Sequence, residues 1–459
     1  MGLTPYPYQE HDIQHIIDHN GVGLVVAQVG AGKTLVGIEV GLRLGASVKL
    51  VIAPKGTHKR VWIAGIKAQD PQAVVSTLEN SSRAGKEAFH NLLSHAPGWY
   101  VITPQLFTRM RMKLTVDMAI VDEIHLLTNR KGKGFHALRR LTAKNRLAMS
   151  GTPARNRVEN MWAVLRWVYP ETTDRSFWRF AAEYFKMEYD PFAGQKIVGE
   201  LQPGRMVSEL DCYLQHYKRE QCCAFHPRGF LDGLPEPSCI QRTVQLSPAQ
   251  KKFIKQMEND YVAWLDENPV VAELPIVARI RLRQATLGMP SFGPEGEITF
   301  ADDCESPKLD ELLNILDEMG DEPALVFTSS QKFARVVARR LQAAGIDSFE
   351  WSGHVPQHER DKALEGFIGG KIRVMVAVTS AFGTGTDGAQ LAASTVVWLD
   401  RSDDRTDVEQ AEGRLDRTGQ TRQVVSIELI AEGSLDEGII SKQLSERLAM
   451  NASLRRSVA

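Results

Sequence analysis

One stretch, Ala27-Gln28-Val29-Gly30-Ala31-Gly32-Lys33-Thr34, constrains this chain more than any other. The apolar run before it, 22–27, predicts a buried strand, and the residues after it, from Leu35 to about Leu44, repeat with a helical period. Strand, glycine-rich turn and helix start form the setting of a phosphate-binding loop. Gly30 and Gly32 allow the backbone to curl so that successive N–H groups face one point. The helix N-terminus adds positive potential there. Lys33 can reach the β- and γ-phosphates of a nucleotide, and the Thr34 hydroxyl can ligate Mg²⁺. Ala27 stands where the usual pattern has its first glycine. Taken alone, the stretch also fits a plain strand–turn–helix corner with a solvated lysine.

A chain of 459 residues predicts two to four domains at ~100–200 residues each. Its 43% hydrophobic content is ample for globular cores. No uninterrupted apolar run reaches ~18 residues, so no membrane-spanning helix is expected. Residues 1–12 lack a basic segment followed by an apolar block, which argues against a secretory leader. With 5 cysteines and no export signal, reduced thiols and a cytoplasmic location are the expectation. Cys212, His216, Cys222, Cys223 and His226 cluster in sequence. They contain no C-x-x-C pair, so buried thiols and surface histidines are preferred over zinc. The formal net charge of −1 leaves nucleic acid open, because a basic groove can sit inside a neutral total.

The remaining motifs fall at predicted strand ends. Upstream of the loop, Gln9 opens a helical pattern, and its amide can both donate to and accept from an adenine edge. Strands are predicted at 48–53, 99–102, 118–121 and 146–149. The third of these runs into Asp122-Glu123-Ile124-His125. There Asp122 would hold Mg²⁺, and Glu123 would orient and deprotonate an attacking water. The last runs into Ser150-Gly151-Thr152-Pro153, whose hydroxyls would face the same crevice. A second strand–helix series begins at Lys308, with strands predicted at 324–327, near 349, at 373–378, 395–399 and 424–430. It has no phosphate loop and can only complete a site. Arg414 and Arg417 are three residues apart, which on a helix puts them on one face. Guanidinium forks match phosphate oxygens, so this pair is the candidate arginine finger.

These motifs, in this order, resemble the SNF2 (SWI2/SNF2-like) group of the superfamily 2 helicases. The resemblance rests on Arg146-Leu147-Ala148-Met149-Ser150-Gly151-Thr152-Pro153, on Leu282-Arg283-Gln284, and on Arg414-Leu415-Asp416-Arg417-Thr418-Gly419-Gln420. It implies an α/β chain of two tandem RecA-like parallel-sheet lobes, with helical insertions between them. The expected divisions are 1–170 for the ATP-binding lobe, 171–235 for a helical insertion and 236–304 for bridging helices and a linker, with the Gly-, Pro- and acid-rich stretch 288–306 reading as linker. The second lobe would be 305–435, and 436–459 a closing helix. The resemblance also implies roles. Gln9, Gly30, Gly32, Lys33, Thr34, Gly385 and Asp387 would bind nucleotide. Thr34 and Asp122 would hold the metal. Glu123, Gln410, Arg414 and Arg417 would carry catalysis. Pro54, Lys55, Thr103, Ser329 and Thr379 fall near motifs that hold a nucleic-acid backbone.

The chain departs from the group in its Asp-Glu-Ile-His box, and in Asp403-Asp404-Arg405 where Trp-Asn-Pro is usual. The expected function is an ATP- and Mg²⁺-dependent translocase on double-stranded DNA. One rival is a strand-separating or annealing helicase, which would need a wedge hairpin that the sequence does not reveal. Another is a non-catalytic DNA-binding scaffold, which the full set of catalytic residues disfavours.

Overall fold

The computed structural model describes residues 2–27, 30–151, 153–154, 158–190, 194–202, 205, 214–217, 237–265, 268–382, 388–417 and 419–454. The chain divides into two compact units, Met1–Asp232 with Glu446–Ala459, and Gly233–Ser445.

In the first unit, the strands are β1 (Val22–Ala27), β2 (Val48–Ile52), β3 (Val75–Thr77), β4 (Gly98–Ile102), β5 (Leu114–Asp122) and β6 (Leu141–Ser150). They are followed by β7 (Phe185–Asp190), β8 (Gly194–Glu200) and β9 (Leu214–Tyr217). Seven of these form one sheet in the order β3-β4-β2-β5-β6-β1-β9, with every neighbouring pair parallel. A parallel sheet is covered on both faces, which is why its central strands read as unbroken apolar runs. Alternate residues serve opposite faces. Leu24, Val26, Leu50, Ile52 and Val121 pack into one core. Val25, Val51, Ile120 and Met149 pack into the other, with Val36 and Ile38 of the helix Lys33–Arg43.

In the second unit, β10 (Ser238–Val244) precedes two short hairpins, β11 (Val262–Leu265) with β12 (Asn268–Val271) and β13 (Ser291–Phe292) with β14 (Ile298–Thr299). The main strands are β15 (Ala324–Thr328), β16 (Ser348–Trp351), β17 (Val374–Val378), β18 (Thr395–Trp398) and β19 (Val425–Ala431). Their sheet runs β10-β19-β18-β15-β17-β16, again parallel throughout. The expected fold class, two helix-flanked parallel sheets in tandem, is what the chain forms.

Three local expectations need correction. The segment 171–235 is not purely helical: after the helix Phe177–Tyr184 it forms the antiparallel β7–β8 hairpin, and β9 extends the first sheet. Its mixed aromatic and charged residues obscured a period of two that only strand pairing reveals. The second sheet begins before residue 305, because β10 pairs in register with β19 from Ser238↔Val425 to Val244↔Ala431. Residues 288–306 are not bare linker, since β13 and β14 pair within them. Among the described residues, no helix is long and apolar enough to cross a membrane.

Candidate nucleotide site

The strand order places β2, β5, β6 and β1 side by side. Their carboxyl ends therefore form one continuous rim, the position where open α/β sheets bind ligands. At the end of β1, Gly30 and Gly32 have φ of +87° and +75°. Gly32 is required twice over, because a Cβ there would also fall 2.1 Å from Gln9 Nε2. Lys33 and Thr34 open the helix Lys33–Arg43, whose first N–H groups have no intrahelical acceptor. Lys33 Nζ donates to the Ala27 carbonyl at 2.9 Å, folding back over the strand end. Gln28 and Val29 lie outside the described residues.

Gln9 is 2% exposed and bridges this loop to the N-terminal helix Pro7–Asp18. Its Nε2 donates to the Ala31 carbonyl at 3.0 Å, and its Oε1 accepts from the Tyr6 backbone N–H at 2.9 Å. Tyr8 donates its hydroxyl to the same Ala31 carbonyl at 2.9 Å. The amide expected to face an adenine edge here holds the phosphate loop itself.

Asp122 ends β5 and is 7% exposed. Burial pushes its carboxyl above the ordinary range, and the neighbouring charge of Glu123 pushes it further. Trp62 opposes this by donating its indole N–H to Asp122 Oδ2 at 2.9 Å. Glu123 stands in the left-handed region at φ +50°, which turns its side chain out of the strand line. Burial also raises Glu123, but a hydrogen bond and charge from His125, the charge of Lys33 and a hydrogen bond from Ser150 outweigh it and leave the carboxyl well below its usual range. Ser150 Oγ, at the end of β6, donates to Glu123 Oε2 at 3.1 Å and lies 2.9 Å from His125 Nδ1. The hydroxyl's single proton points to Glu123, so Nδ1 carries the imidazole proton and donates to Ser150. Nδ1 also lies 3.2 Å from Glu123 Oε2, closing a triangle.

The first unit thus assembles Gln9, Gly30, Gly32, Lys33, Thr34, Asp122 and Glu123 on one rim. A buried Asp122 beside a half-buried Glu123, on the rim that carries the phosphate loop, fits a magnesium ion, which binds through one or two carboxylates plus substrate phosphates. Trp62 was not anticipated. No local pattern marks it, since its link to Asp122 exists only because β2 and β5 are neighbours.

In the second unit, Gln410 is buried on the helix Arg405–Glu412. Arg414 and Arg417 do not share a helical face. The helix stops at Glu412, and the arginines follow in turns, with Arg414 N–H donating to Ala411 O at 3.1 Å and Arg417 N–H to Leu415 O at 3.0 Å. Gly413, a poor helix former, sits at the break. Gly385 and Asp387 lie outside the described residues, as do Cys212, Cys222, Cys223 and His226. Arg279 and Arg283 hold Asp403 at 2.6 and 2.9 Å. Arg283 also reaches Asp400 and Ser329, each at 2.8 Å, at the carboxyl ends of β18 and β15. Thr379 donates its hydroxyl to the Thr328 carbonyl at 3.3 Å.

Residues 8–284 match the family model of the SNF2-related domain, and residues 307–419 match that of the helicase conserved C-terminal domain. The "ISWI chromatin-remodeling complex ATPase ISW1" of Saccharomyces cerevisiae is 24% identical over 95% of this chain and 39% of its own length. The "Putative ATP-dependent helicase/translocase YwqA" of Bacillus subtilis is 23% identical over 95% of this chain and 47% of its own. The chain spans less than half the length of these curated relatives. A solved structure, the "Sulfolobus solfataricus SWI2/SNF2 ATPase core in complex with dsDNA", aligns over 99% of this chain and 96% of its own at 20% identity and a TM-score of 0.38.

Proposed function

This chain belongs to the SNF2-related domain family, and we propose that it is a DNA-dependent ATPase that moves on double-stranded DNA. The observation that carries the reading is the shared rim: a two-glycine phosphate loop with Lys33 after β1, and the Asp122–Glu123 pair at the end of β5, one strand removed in the same sheet. Together these supply what phosphoryl transfer to water needs, a cradle for the phosphates and a carboxylate that aligns the attacking oxygen. Lys33 and the N–H groups of the loop would hold the β- and γ-phosphates. Asp122 and Thr34 would hold Mg²⁺, which when bound neutralises charge on the phosphate oxygens. Glu123, kept ionised by His125, Lys33 and Ser150, is suited to accept a hydrogen bond from water and fix its line of attack. In the second unit, Gln410, Arg414 and Arg417 are the candidates for catalysis and Gly385 and Asp387 for nucleotide binding, the guanidinium groups being suited to stabilise charge on a transferring phosphoryl group.

The test is ATP hydrolysis with duplex, with single strands and without DNA, beside triplex displacement and forked-duplex unwinding. Duplex-stimulated hydrolysis with triplex displacement supports the reading, and hydrolysis indifferent to DNA overturns it. The β11–β12 hairpin supports a second reading, strand separation. It exposes Trp264 and Val271 on one face while Ala263, Leu265 and Val270 are buried on the other. Unwinding of the fork would favour that reading.

A further inference from the structure

Trp62 is fully buried, yet its one polar atom is aimed at a single group. The indole N–H donates to Asp122 Oδ2 at 2.9 Å. The far end of the same ring lies against the phosphate-loop helix: a Cβ at Gly37 would fall 2.8 Å from Trp62 Cη2. Gly37 stands four residues after Lys33, so the ring bridges that helix and the end of β5. The backbone of Trp62 is tied as tightly to the other side. Residues His58–Ile63 form a π-helical turn, a rare element that concentrates at functional sites. The Trp62 N–H reaches back to the Thr57 carbonyl at 3.0 Å, and the Thr57 and His58 N–H groups both reach the Pro54 carbonyl at 2.9 Å. His58 Nδ1 hydrogen-bonds the Lys55 carbonyl at 2.5 Å. The turn 54–57 is therefore joined to Asp122 by an unbroken line of hydrogen bonds through one side chain.

We propose that Trp62 is a positioning residue that fixes the rotation of the Asp122 carboxylate and couples it to the Pro54–Thr57 turn. This rests on the reading of Asp122 as the magnesium-holding carboxylate and of that turn as a contact for the nucleic-acid backbone. A carboxylate is free to rotate about its last bond, and a donor on one oxygen sets which lone pairs face the loop. Neighbours that orient a metal-holding group in this way change metal affinity ~10–100-fold when removed. A merely structural tryptophan would change stability and leave metal affinity alone.

The experiment is done on the full chain with two replacements, Trp62→Phe and site-specific benzothienylalanine at residue 62. The second keeps the ring shape and replaces only the N–H by sulfur, so it answers even where the phenylalanine variant folds poorly. The readouts are Mn²⁺ affinity by electron paramagnetic resonance with a non-hydrolysable ATP analogue, nucleotide affinity without metal, melting temperature, and duplex stimulation of hydrolysis at saturating Mg²⁺. The expected result for benzothienylalanine is ~10-fold weaker Mn²⁺ binding, unchanged metal-free nucleotide affinity and reduced duplex stimulation. Unchanged Mn²⁺ affinity in a folded benzothienylalanine protein overturns the proposal, and full duplex stimulation overturns its link to the turn. Asp122→Asn is the control: if it too leaves Mn²⁺ affinity unchanged, the metal reading of Asp122 has failed rather than the role of Trp62 alone.

Discussion

Replacing Ser150 by alanine tests the water-orienting triangle most directly. Ser150 is fully buried at the end of β6, and its hydroxyl lies between Glu123 Oε2 at 3.1 Å and His125 Nδ1 at 2.9 Å. Ser150→Ala removes one oxygen and leaves the backbone of β6 intact. Glu123 then loses a charge-assisted hydrogen bond, a class contributing about 1.5–3 kcal/mol. His125 Nδ1 keeps Glu123 as its remaining acceptor at 3.2 Å, so the carboxylate is drawn toward the imidazole rather than released. If the orientation of Glu123 matters only once the water is being aligned, the loss appears in turnover and not in ATP binding. At about 1.4 kcal/mol per factor of ten, kcat should fall roughly 10–100-fold with KM for ATP nearly constant. The assay is steady-state hydrolysis with saturating duplex DNA, beside a fluorescent-nucleotide titration and a thermal melt. A kcat within twofold of the parent, in a protein of unchanged melting temperature, would refute the argument that Ser150 aligns Glu123.

Glu123→Gln keeps the side-chain shape and removes the charge, so turnover should drop by about 10²–10⁴ while nucleotide still binds; hydrolysis at the parental rate in a single-turnover assay would exclude Glu123 from the chemistry. Lys308 is 0% exposed, and its Nζ reaches Asp436 Oδ2 and the Leu399 carbonyl, each at 2.5 Å. Lys308→Met strands a buried carboxylate and should cost about 3–5 kcal/mol in urea unfolding, with Asp436→Asn in the same chain recovering part of it. His58 is held below its ordinary pKa, first by burial and then by the charges of Lys59 and Lys55. The unfolded chain therefore takes up its proton first on acidification. The stability tied to His58 is complete above about pH 6.5 and is lost as pH falls toward the lowered folded value. Melting temperatures between pH 7.5 and 5.5 should fall less steeply in His58→Gln than in the parent, and parallel slopes would show that His58 contributes nothing.

The central strands were legible in the sequence because a buried parallel strand is an unbroken apolar run. Val22–Ala27, Val48–Ile52 and Val374–Val378 needed no tertiary information. The phosphate loop was legible because two left-handed glycines next to Lys33 and Thr34 are a local requirement. What escaped was set by pairing. β3 has only three residues, Val75–Thr77, too few to show a period. β9 is recruited by a neighbour remote in sequence, β1, and the alternation at 240–246 suggested a strand, β10, without revealing that it joins the second sheet beside β19. The arginine pair was misread in form: the spacing of Arg414 and Arg417 suits a helix, but Gly413 ends the helix first.

The site divides along the same line. Lys33 and the Asp122–Glu123 pair follow two strand ends that the sequence marks, each preceded by its own apolar run. Among the groups that tune them, His125 comes from the same segment, whereas Trp62 and Ser150 come from neighbouring parts of the sheet, and the strand order decides which. β5 lies between β2 and β6. On one side the segment after β2 brings Trp62 to Asp122, and on the other the end of β6 brings Ser150 to Glu123. Adjacent carboxylates in one dipeptide are thereby given opposite environments. Burial and its neighbour's charge disfavour ionisation of Asp122, whereas His125, Lys33 and Ser150 favour it for Glu123. Two acids of nearly equal intrinsic strength can serve different roles only when their surroundings separate them. Here that separation rests on His125 from the same segment and on Trp62 and Ser150, which strand order supplies, so the chemistry of the pair belongs to the sheet as well as to the motif.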